Sequence, residues 1–481
     1  SMELGLERAS ALFGLLSYTR PTIHVAGTNG KGSVTTLIEH VLIASGLSIG
    51  KFTSPHFIDV HDCISINGVP LSPTIYAKHQ DRVKRFSDDH QIGATNFELL
   101  TACALSAFED AAVQVVVLEV GMGGRLDATN ALPDERMLIS AIASISLDHQ
   151  TFLGSSISEI AHEKAGIIRQ GGIVVLGDQT PMSEEDVLRS VAASATERDA
   201  RLVRSRPLVV RPWLDEFDGT KLPWDIENID EQPSLHHPIM ISSFNDDGTG
   251  KTLPGRLRLA GEHQLSNAGL AYTVLATLRA SKPSLFGHLT DQHVVDGFSN
   301  ARWPGRLSWI TVSLPLSRFR EYPVDCEAVS PSQRLSLLVD GAHNAGSAQA
   351  LSAYLSTLPM FNEPPRTFIL ALSFSPPKRP VDVLGELLRP RDRVALVQFG
   401  PVEGMPWVSN VPHDEMKRVA RNLIGPSGEI WEAPDADVSA MEQSRVLHDA
   451  LQWARSKGSF GILAGSLYLV SDLYRLLRTC E

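Results

Sequence analysis

One junction limits most strongly what this chain can fold into. Thr22-Ile23-His24-Val25 reads as a strand, Gly27-Thr28-Asn29-Gly30-Lys31-Gly32-Ser33 as a tight turn, and Ser33 to Ser45 as a helix. Val34, Leu37, Val41 and Ala44 share one face of that helix, and Gly46 supplies the stop. A strand–glycine turn–helix unit suits an anion. Glycine lets backbone N–H groups turn inward without Cβ clashes, and the helix N-terminus adds positive potential. Lys31 can reach the outer phosphates of a nucleotide, and a neighbouring hydroxyl can support phosphate or Mg2+. The spacing is shorter than the common GxxxxGK[ST] form. The plain alternative is a Gly-rich turn without a ligand; strand, lysine, serine and helix in one run weigh against it.

The same alternation continues. Phe97, Leu100, Ala104 and Phe108 mark a helix face, and Val115 to Leu118 is a strand apolar on both faces. Met137 to Ser146 and Ile173 to Leu176 read as further strands. Ser156-Ile157-Ser158-Glu159 reads as a capping box that opens a helix closed by Gly166. Such alternation predicts an α/β protein with a mostly parallel, doubly wound sheet. From Arg204 to Thr252 the pattern weakens into Pro-, acid- and Gly-rich stretches, which predict an edge or hairpin excursion. A helix over Gln264 to Ala280 follows, and Asp296 to Trp303 reads as a hinge. Leu335–Val339, Phe368–Leu372, Val394–Val397 and Gly461–Ala464 then read as strands of a second, smaller Rossmann-like α/β unit. The expected domains are 1–297 and 298–481, with ligands at the carboxyl ends of the strands. No internal repeat is evident.

At 481 residues, 43% hydrophobic and 20% charged, the chain is neither low-complexity nor a small disulfide scaffold. Its 43 basic and 55 acidic residues leave a net charge of −12, which disfavours a general nucleic-acid binder and favours small-molecule substrates. Cys63, Cys103, Cys326 and Cys480 lie far apart, so neither a zinc site nor a disulfide framework is expected. No apolar run is long enough to span a membrane, and the first residues carry no signal-peptide pattern. A cytoplasmic monomer is expected, with a mitochondrial pool left open.

Further chemistry lies at the predicted strand ends. Ser54, in Thr53-Ser54-Pro55-His56, can offer a hydroxyl to Mg2+; taken alone, Ser-Pro is simply a turn. Glu119 ends the apolar run Val115 to Leu118, and a carboxylate at that position suits a metal. Gly121-Met122-Gly123-Gly124 lets a substrate approach closely, and Arg125 can hold an anion. His149, after Asp148, is either a metal ligand or a satisfied turn histidine; residue type leaves both open. Lys164, in the last turn of the Ser156 helix, reads by itself as a solvated, dipole-complementing lysine.

Together these stretches resemble the Mur-ligase-like family of ATP-dependent amide-forming ligases, in its folylpolyglutamate synthase and dihydrofolate synthase branch. The matching motifs are His24 to Ser33, Thr53 to His56, Leu118 to Asn130, Leu147 to His149, Glu163 to Ile167, Gly261 to Gln264, Trp303 to Arg306 and Asp340 to Asn344. They stand in family order. Glu3-Leu4-Gly5-Leu6, Gly50-Lys51-Phe52-Thr53, Val402 to Trp407 and Gly465 to Leu469 are most similar to the fungal dihydrofolate synthetases of that branch. The resemblance implies a Mur-ligase central domain followed by a C-terminal domain. It implies that Gly27, Thr28, Asn29, Gly30, Lys31, Gly32 and Ser33 bind the ATP phosphates. Ser54 and Glu119 would hold one Mg2+ ion. His149 would hold a second, together with a carbamate on Lys164. Asn267, Arg306, Asp340 and His343 would contact the nucleotide, the last two from the second domain. Departures from the family pattern are His162 in place of a common glycine, Ala345 in place of a common proline, and Ser375-Pro376-Pro377-Lys378-Arg379-Pro380 in place of a Lys-Asp pattern.

The implied reaction passes the γ-phosphoryl group of ATP to the carboxylate of dihydropteroate. The α-amino group of L-glutamate then attacks the acyl phosphate, and phosphate leaves. The sequence identifies no general base for the amine; His343 is one candidate. A folylpolyglutamate synthase that acts on folate is the first alternative. A nucleotide-driven switch or motor ATPase, and a purely structural interaction protein, are readings of other classes. The second α/β unit disfavours the switch, and the polar residues gathered at strand ends disfavour the structural protein.

Overall fold

The computed structural model describes residues 5–214, 218, 237–244, 251–314, 334–374, 379–433 and 440–478. These residues separate into two compact units. The first is built from residues up to 213, 237–258 and 263–302, and the second from 259–262 and 303 onward.

The first unit is organised by strands too apolar to face water. β1 (Thr22–Ala26) and β5 (Val115–Glu119) are buried along their whole length, as a central parallel strand requires. Around them run β2 (Ile49–Phe52), β3 (Ile64–Ile66), β4 (Val69–Pro70), β6 (Met137–Ile142), β7 (Ile173–Leu176) and β8 (Arg201–Arg204). The sheet order is β4-β3-β2-β5-β1-β6-β7-β8, and β2, β5, β1, β6, β7 and β8 are all parallel. Alternation along each strand then assigns the faces. Phe52, Val116 and Leu118 pack with Leu12, Leu105 and Phe108 in one core. Ile142, Val174 and Leu176 pack with Ile160, Val187 and Val191 in another. The helix Lys31–Ala44 packs on β1, β2 and β5, and the helices His263–Ser281 and Asp291–Asn300 pack on it in turn.

Several expectations shift at their edges. The strand read as Met137 to Ser146 stops at Ile142, and 143–149 is a loop. The hinge expected from Asp296 is still helix through Asn300. The weak region after Arg204 contains β9 (Val209–Val210), β10 (His237–Ser242) and β11 (Thr252–Leu257), a three-stranded antiparallel excursion. Phe244 anchors it, stacked on Tyr272 at 5.4 Å and lying under the Arg279 guanidinium at 5.3 Å. The capping box at Ser156 and Glu159 forms as read.

The second unit carries β12 (Ser308–Ser313), β13 (Arg334–Val339), β14 (Thr367–Leu370), β15 (Arg393–Leu396), β16 (Glu429–Glu432) and β17 (Phe460–Ala464), in the order β12-β13-β17-β14-β15-β16. Only β12 is antiparallel. Leu338, Phe368, Leu370, Val394 and Ile462 face helices Ala345–Ser356, Pro380–Leu387 and His413–Ile424. Helices Ala440–Lys457 and Leu467–Arg478 pack on the sheet as well. Both units therefore have the α/β, mostly parallel architecture expected. No helix among the described residues is long and apolar enough to cross a membrane.

Beneath β14 and β15 lies a buried ion pair. Arg366 Nη2 is 2.6 Å from Asp392 Oδ2, with Asp392 fully buried. Asp392 also accepts from the amides of Arg366 and Arg389, both at 2.9 Å. Replacing Asp392 by alanine strands a buried guanidinium, and urea unfolding should show a loss of about 3–5 kcal/mol. An unchanged midpoint would contradict that account.

Candidate functional site

Parallel pairing places the functional loops of the first unit. Phe52 is in register with Leu118, Val25 with Glu119, Ala26 with Ile142, and Ile142 with Leu176. The chain therefore leaves β2, β5, β1, β6 and β7 at one edge. That edge gathers the Ser54 loop, Glu119 with its glycines, the Gly27–Gly30 turn and the 143–149 loop. It is the carboxyl edge, where open α/β sheets bind ligands.

The glycine turn leads directly into the helix Lys31–Ala44. Gly30 is its N-cap at φ 89°, a left-handed conformation that favours glycine. A Cβ on Gly30 would stand 2.2 Å from Asn267 Oδ1, so Asn267 lies directly over the turn. Asn267 Nδ2 donates to Gln264 Oε1 at 2.9 Å, and Gln264 Nε2 donates to Ser33 Oγ at 3.2 Å. The amides of Lys31, Gly32 and Ser33 open the helix and have no intrahelical acceptor, which leaves them for an anion. Thr28 and Asn29 also make bonds within the fold. Their N–H groups donate to Ser144 O at 2.8 and 3.2 Å. Thr28 Oγ1 donates to Ser146 O at 3.1 Å, and Asn29 Nδ2 to Ser146 Oγ at 3.1 Å. In this structure those two residues tie the turn to the loop that carries His149.

Two amines meet at the turn. Lys31 Nζ donates to Gly27 O at 3.1 Å and lies 3.9 Å from Glu119 Oε1. Lys164 Nζ donates to the same Gly27 carbonyl at 2.8 Å. Lys164 is buried, not solvated as its residue type alone suggested. Burial, and then the nearby Lys31 cation, push its amine down to about 7, against the opposing pull of Asp148 and Asp127. Much of it is therefore neutral near pH 7, which is the form that adds CO2.

Glu119 is buried, so the reading of a surface glutamate ahead of a loop fails. His149 is an αL residue at φ 49° whose side chain is 47% exposed, with Nε2 3.9 Å from Asp148 Oδ1. Arg125 is engaged: its Nη2 lies 2.8 Å from Glu163 Oε1. Gly121 and Gly166 allow close packing, because a Cβ on either would meet Phe97 Cζ or Arg125 Cβ at 2.3 Å. Among the described residues no three His, Cys, Asp or Glu side chains form a metal cluster by themselves. The donors at this edge, a buried carboxylate and a hydroxyl, are hard oxygens of the kind Mg2+ accepts alongside phosphate and water.

In the second unit Asp340 and His343 follow β13. Asp340 Oδ2 accepts from Leu307 N and Oδ1 from Ala342 N, both at 2.8 Å. Burial raises its carboxyl to about 6, opposed by Arg306 and these amides. A Cβ on Gly341 would lie 2.8 Å from Arg306 Nη1, so Arg306, Asp340 and Gly341 form one cluster. His343 Nδ1 donates to Gly341 O at 2.9 Å, which leaves Nε2 as the acceptor. Residues 375–378, Cys326 and Cys480 lie outside the described residues.

Sequence reasoning assigned no role to four further residues. Asp127 accepts from Met122 N at 2.8 Å and from Thr129 N at 3.0 Å, shaping the glycine loop beside Glu119. Asp148 is the buried carboxylate acting on Lys164. Gln264 and Ser146 hold the two sides of the phosphate turn. Asp127 and Asp148 were visible as acids inside matched motifs; nothing in the pattern marked Ser146 or Gln264 as partners of residues far away in sequence.

Comparison with known proteins agrees with this arrangement. Residues 25–201 match the Mur ligase middle domain, and residues 324–476 match the dihydrofolate synthetase C-terminal domain. The chain is 32% identical to the dihydrofolate synthetase of Saccharomyces cerevisiae, covering 99% of this chain and 98% of that protein. It is also 32% identical to the probable dihydrofolate synthetase of Schizosaccharomyces pombe, covering 99% of each. Among solved structures, Mycobacterium tuberculosis folylpolyglutamate synthase complexed with ADP superposes with a TM-score of 0.69 at 28% identity, over 98% of this chain and 94% of that one. E. coli FolC in complex with DHPP and ADP gives 0.69 at 25% identity, over 99% and 94%.

Gly30→Ala should bring strain and a clash with Asn267 to the turn. Calorimetry with ADP should show affinity reduced by about tenfold or more, equal to about 1.4 kcal/mol per decade, with the melting temperature little changed. Wild-type affinity in that variant would remove the turn from the nucleotide site.

Proposed function

The chain belongs to the dihydrofolate synthetase family of Mur-type ligases, and on that premise we propose that it uses ATP to join L-glutamate to 7,8-dihydropteroate, giving dihydrofolate, ADP and phosphate. The observation that carries the reading is the pair of lysine amines, Lys31 and Lys164, on the Gly27 carbonyl at a helix N-terminus. The Lys31 cation beside the amides that open the helix calls for a polyanion, and the lowered Lys164 amine is the one that can take up CO2.

A carboxylate does not condense with an amine in water without activation. The γ-phosphoryl group passes to the pteroate carboxylate, the glutamate amine attacks the acyl phosphate, and phosphate departs. Lys31 and the amides of the first helical turn neutralise charge on the transferring group. No protein nucleophile is required. Cys63 and Cys103 are buried, with thiols pushed up by desolvation, and take no part. Ser54 and Glu119 would hold one Mg2+ ion, and His149 with a carbamate on Lys164 a second. Bound there, the ions supply positive charge between a triphosphate and an acid that otherwise repel. Asn267 covers the nucleotide from the first unit. On the same reading Arg306, Asp340 and His343 of the second unit contact the nucleotide, and His343 is the candidate base for the incoming amine. A monomeric state and a cytoplasmic location, with a mitochondrial pool left open, complete the proposal.

Labelled glutamate should be incorporated with dihydropteroate as acceptor, and Lys31→Ala should abolish turnover while the protein remains folded. Incorporation with tetrahydrofolate alone would replace this reading by folylpolyglutamate synthesis, the activity named in several relatives.

The pH profile gives a second check. A Lys164 amine lowered to about 7 loses its CO2-accepting form as pH falls through that value, so activity should fall with it. Lys164→Ala should be crippled, should lose that limb of the profile, and should recover in part with short carboxylic acids. Full activity of the variant without rescue would refute the carbamate.

A further inference from the structure

A second charged pair lies between the phosphate-loop helix and the sheet beneath it, and the reaction does not use it. Lys51 is in β2, a strand buried throughout. Gly50 and Phe52 turn toward Phe108 and its core, so Lys51 points to the opposite face, at the helix Lys31–Ala44. There its Nζ lies 2.5 Å from Glu39 Oε2 and donates to Thr36 Oγ1 at 3.3 Å. Ser65 Oγ, from β3, donates to Glu39 Oε1 at 3.1 Å. Glu39 and Thr36 are fully buried and Lys51 nearly so. Desolvating two such charges is costly, and an apolar pair of similar size is often as stable or more so. What an ion pair adds is direction. Apolar side chains let a helix settle on a sheet in more than one register, whereas an ion pair favours one.

The elements so fixed carry the two halves of the site. The helix begins at Lys31 and the phosphate turn. β2 ends at Phe52 and runs directly into Thr53 and Ser54. We propose that the Glu39–Lys51 pair is a positioning device that sets the Ser54 loop against the phosphate turn, so that hydroxyl and nucleotide share one divalent cation. This rests on the reading of Ser54 as a metal ligand given above.

The test compares ADP binding with and without Mg2+ by calorimetry, in the full chain. In Glu39→Met/Lys51→Met, Mg2+-free ADP affinity and melting temperature should stay near wild type, while the gain in affinity from Mg2+ falls about tenfold, as when a partner behind a metal ligand is lost. Lys51→Arg, which keeps the charge and changes its reach, should show a smaller loss, and it serves where the double variant does not fold. A purely structural pair would lower stability and leave the Mg2+ gain untouched; a gain within about twofold of wild type in both variants overturns the proposal. Ser54→Ala is the reference. If it keeps the full Mg2+ gain, the metal reading of Ser54 fails and takes this proposal with it; if it loses the gain and the pair variants do not, the positioning proposal fails alone.

Discussion

Two lysines share one carbonyl oxygen, and the rest of the site can be understood from that constraint. Lys31 and Lys164 both donate to Gly27 O from elements far apart in sequence. Burial, and then repulsion from the nearby Lys31 cation, hold the Lys164 amine low. An anion relieves the conflict, and so does conversion of one amine to a carbamate. The carboxylates nearby, Glu119, Asp127 and Asp148, are each held by a strand end or a loop amide.

That meeting point exists because the sheet is parallel. β1 and β5 are too apolar to face water, so helices cover them, and connections between parallel strands return every loop to the same edge. The phosphate turn, Glu119 and the His149 loop are therefore neighbours without any contact local in sequence. Bonds from Thr28 and Asn29 to Ser144 and Ser146 then fasten the turn to the loop after β6.

Much of this was legible in the residues. Continuous apolar runs such as Val115 to Leu118 announced buried parallel strands, and the Gly27–Ser33 run announced a tight turn opening a helix. The Ser156–Glu159 capping box was readable because both partners lie within one turn. Residue type failed where burial decides. Lys164 reads as a solvated helix-end lysine, and only the packing of 157–165 under the phosphate turn turns it inward. The strand after Met137 was read four residues too long because Ala143 to Ser146 remains small and partly apolar in a loop. In the second unit, the resemblance gives Asp340 a nucleotide contact, and the structure gives its carboxylate a further role. Its oxygens hold the amides of Leu307 and Ala342, a long-range contact that no local pattern encodes.

The central claim is that the acid is phosphorylated before the amine attacks. Dihydropteroate carrying 18O in its carboxylate tests it most directly, by mass analysis of the phosphate released during glutamate ligation. Activation through an acyl phosphate predicts one 18O atom carried into each phosphate formed. Phosphate containing only 16O would show that the carboxylate oxygen never bonded to phosphorus, and would contradict the account.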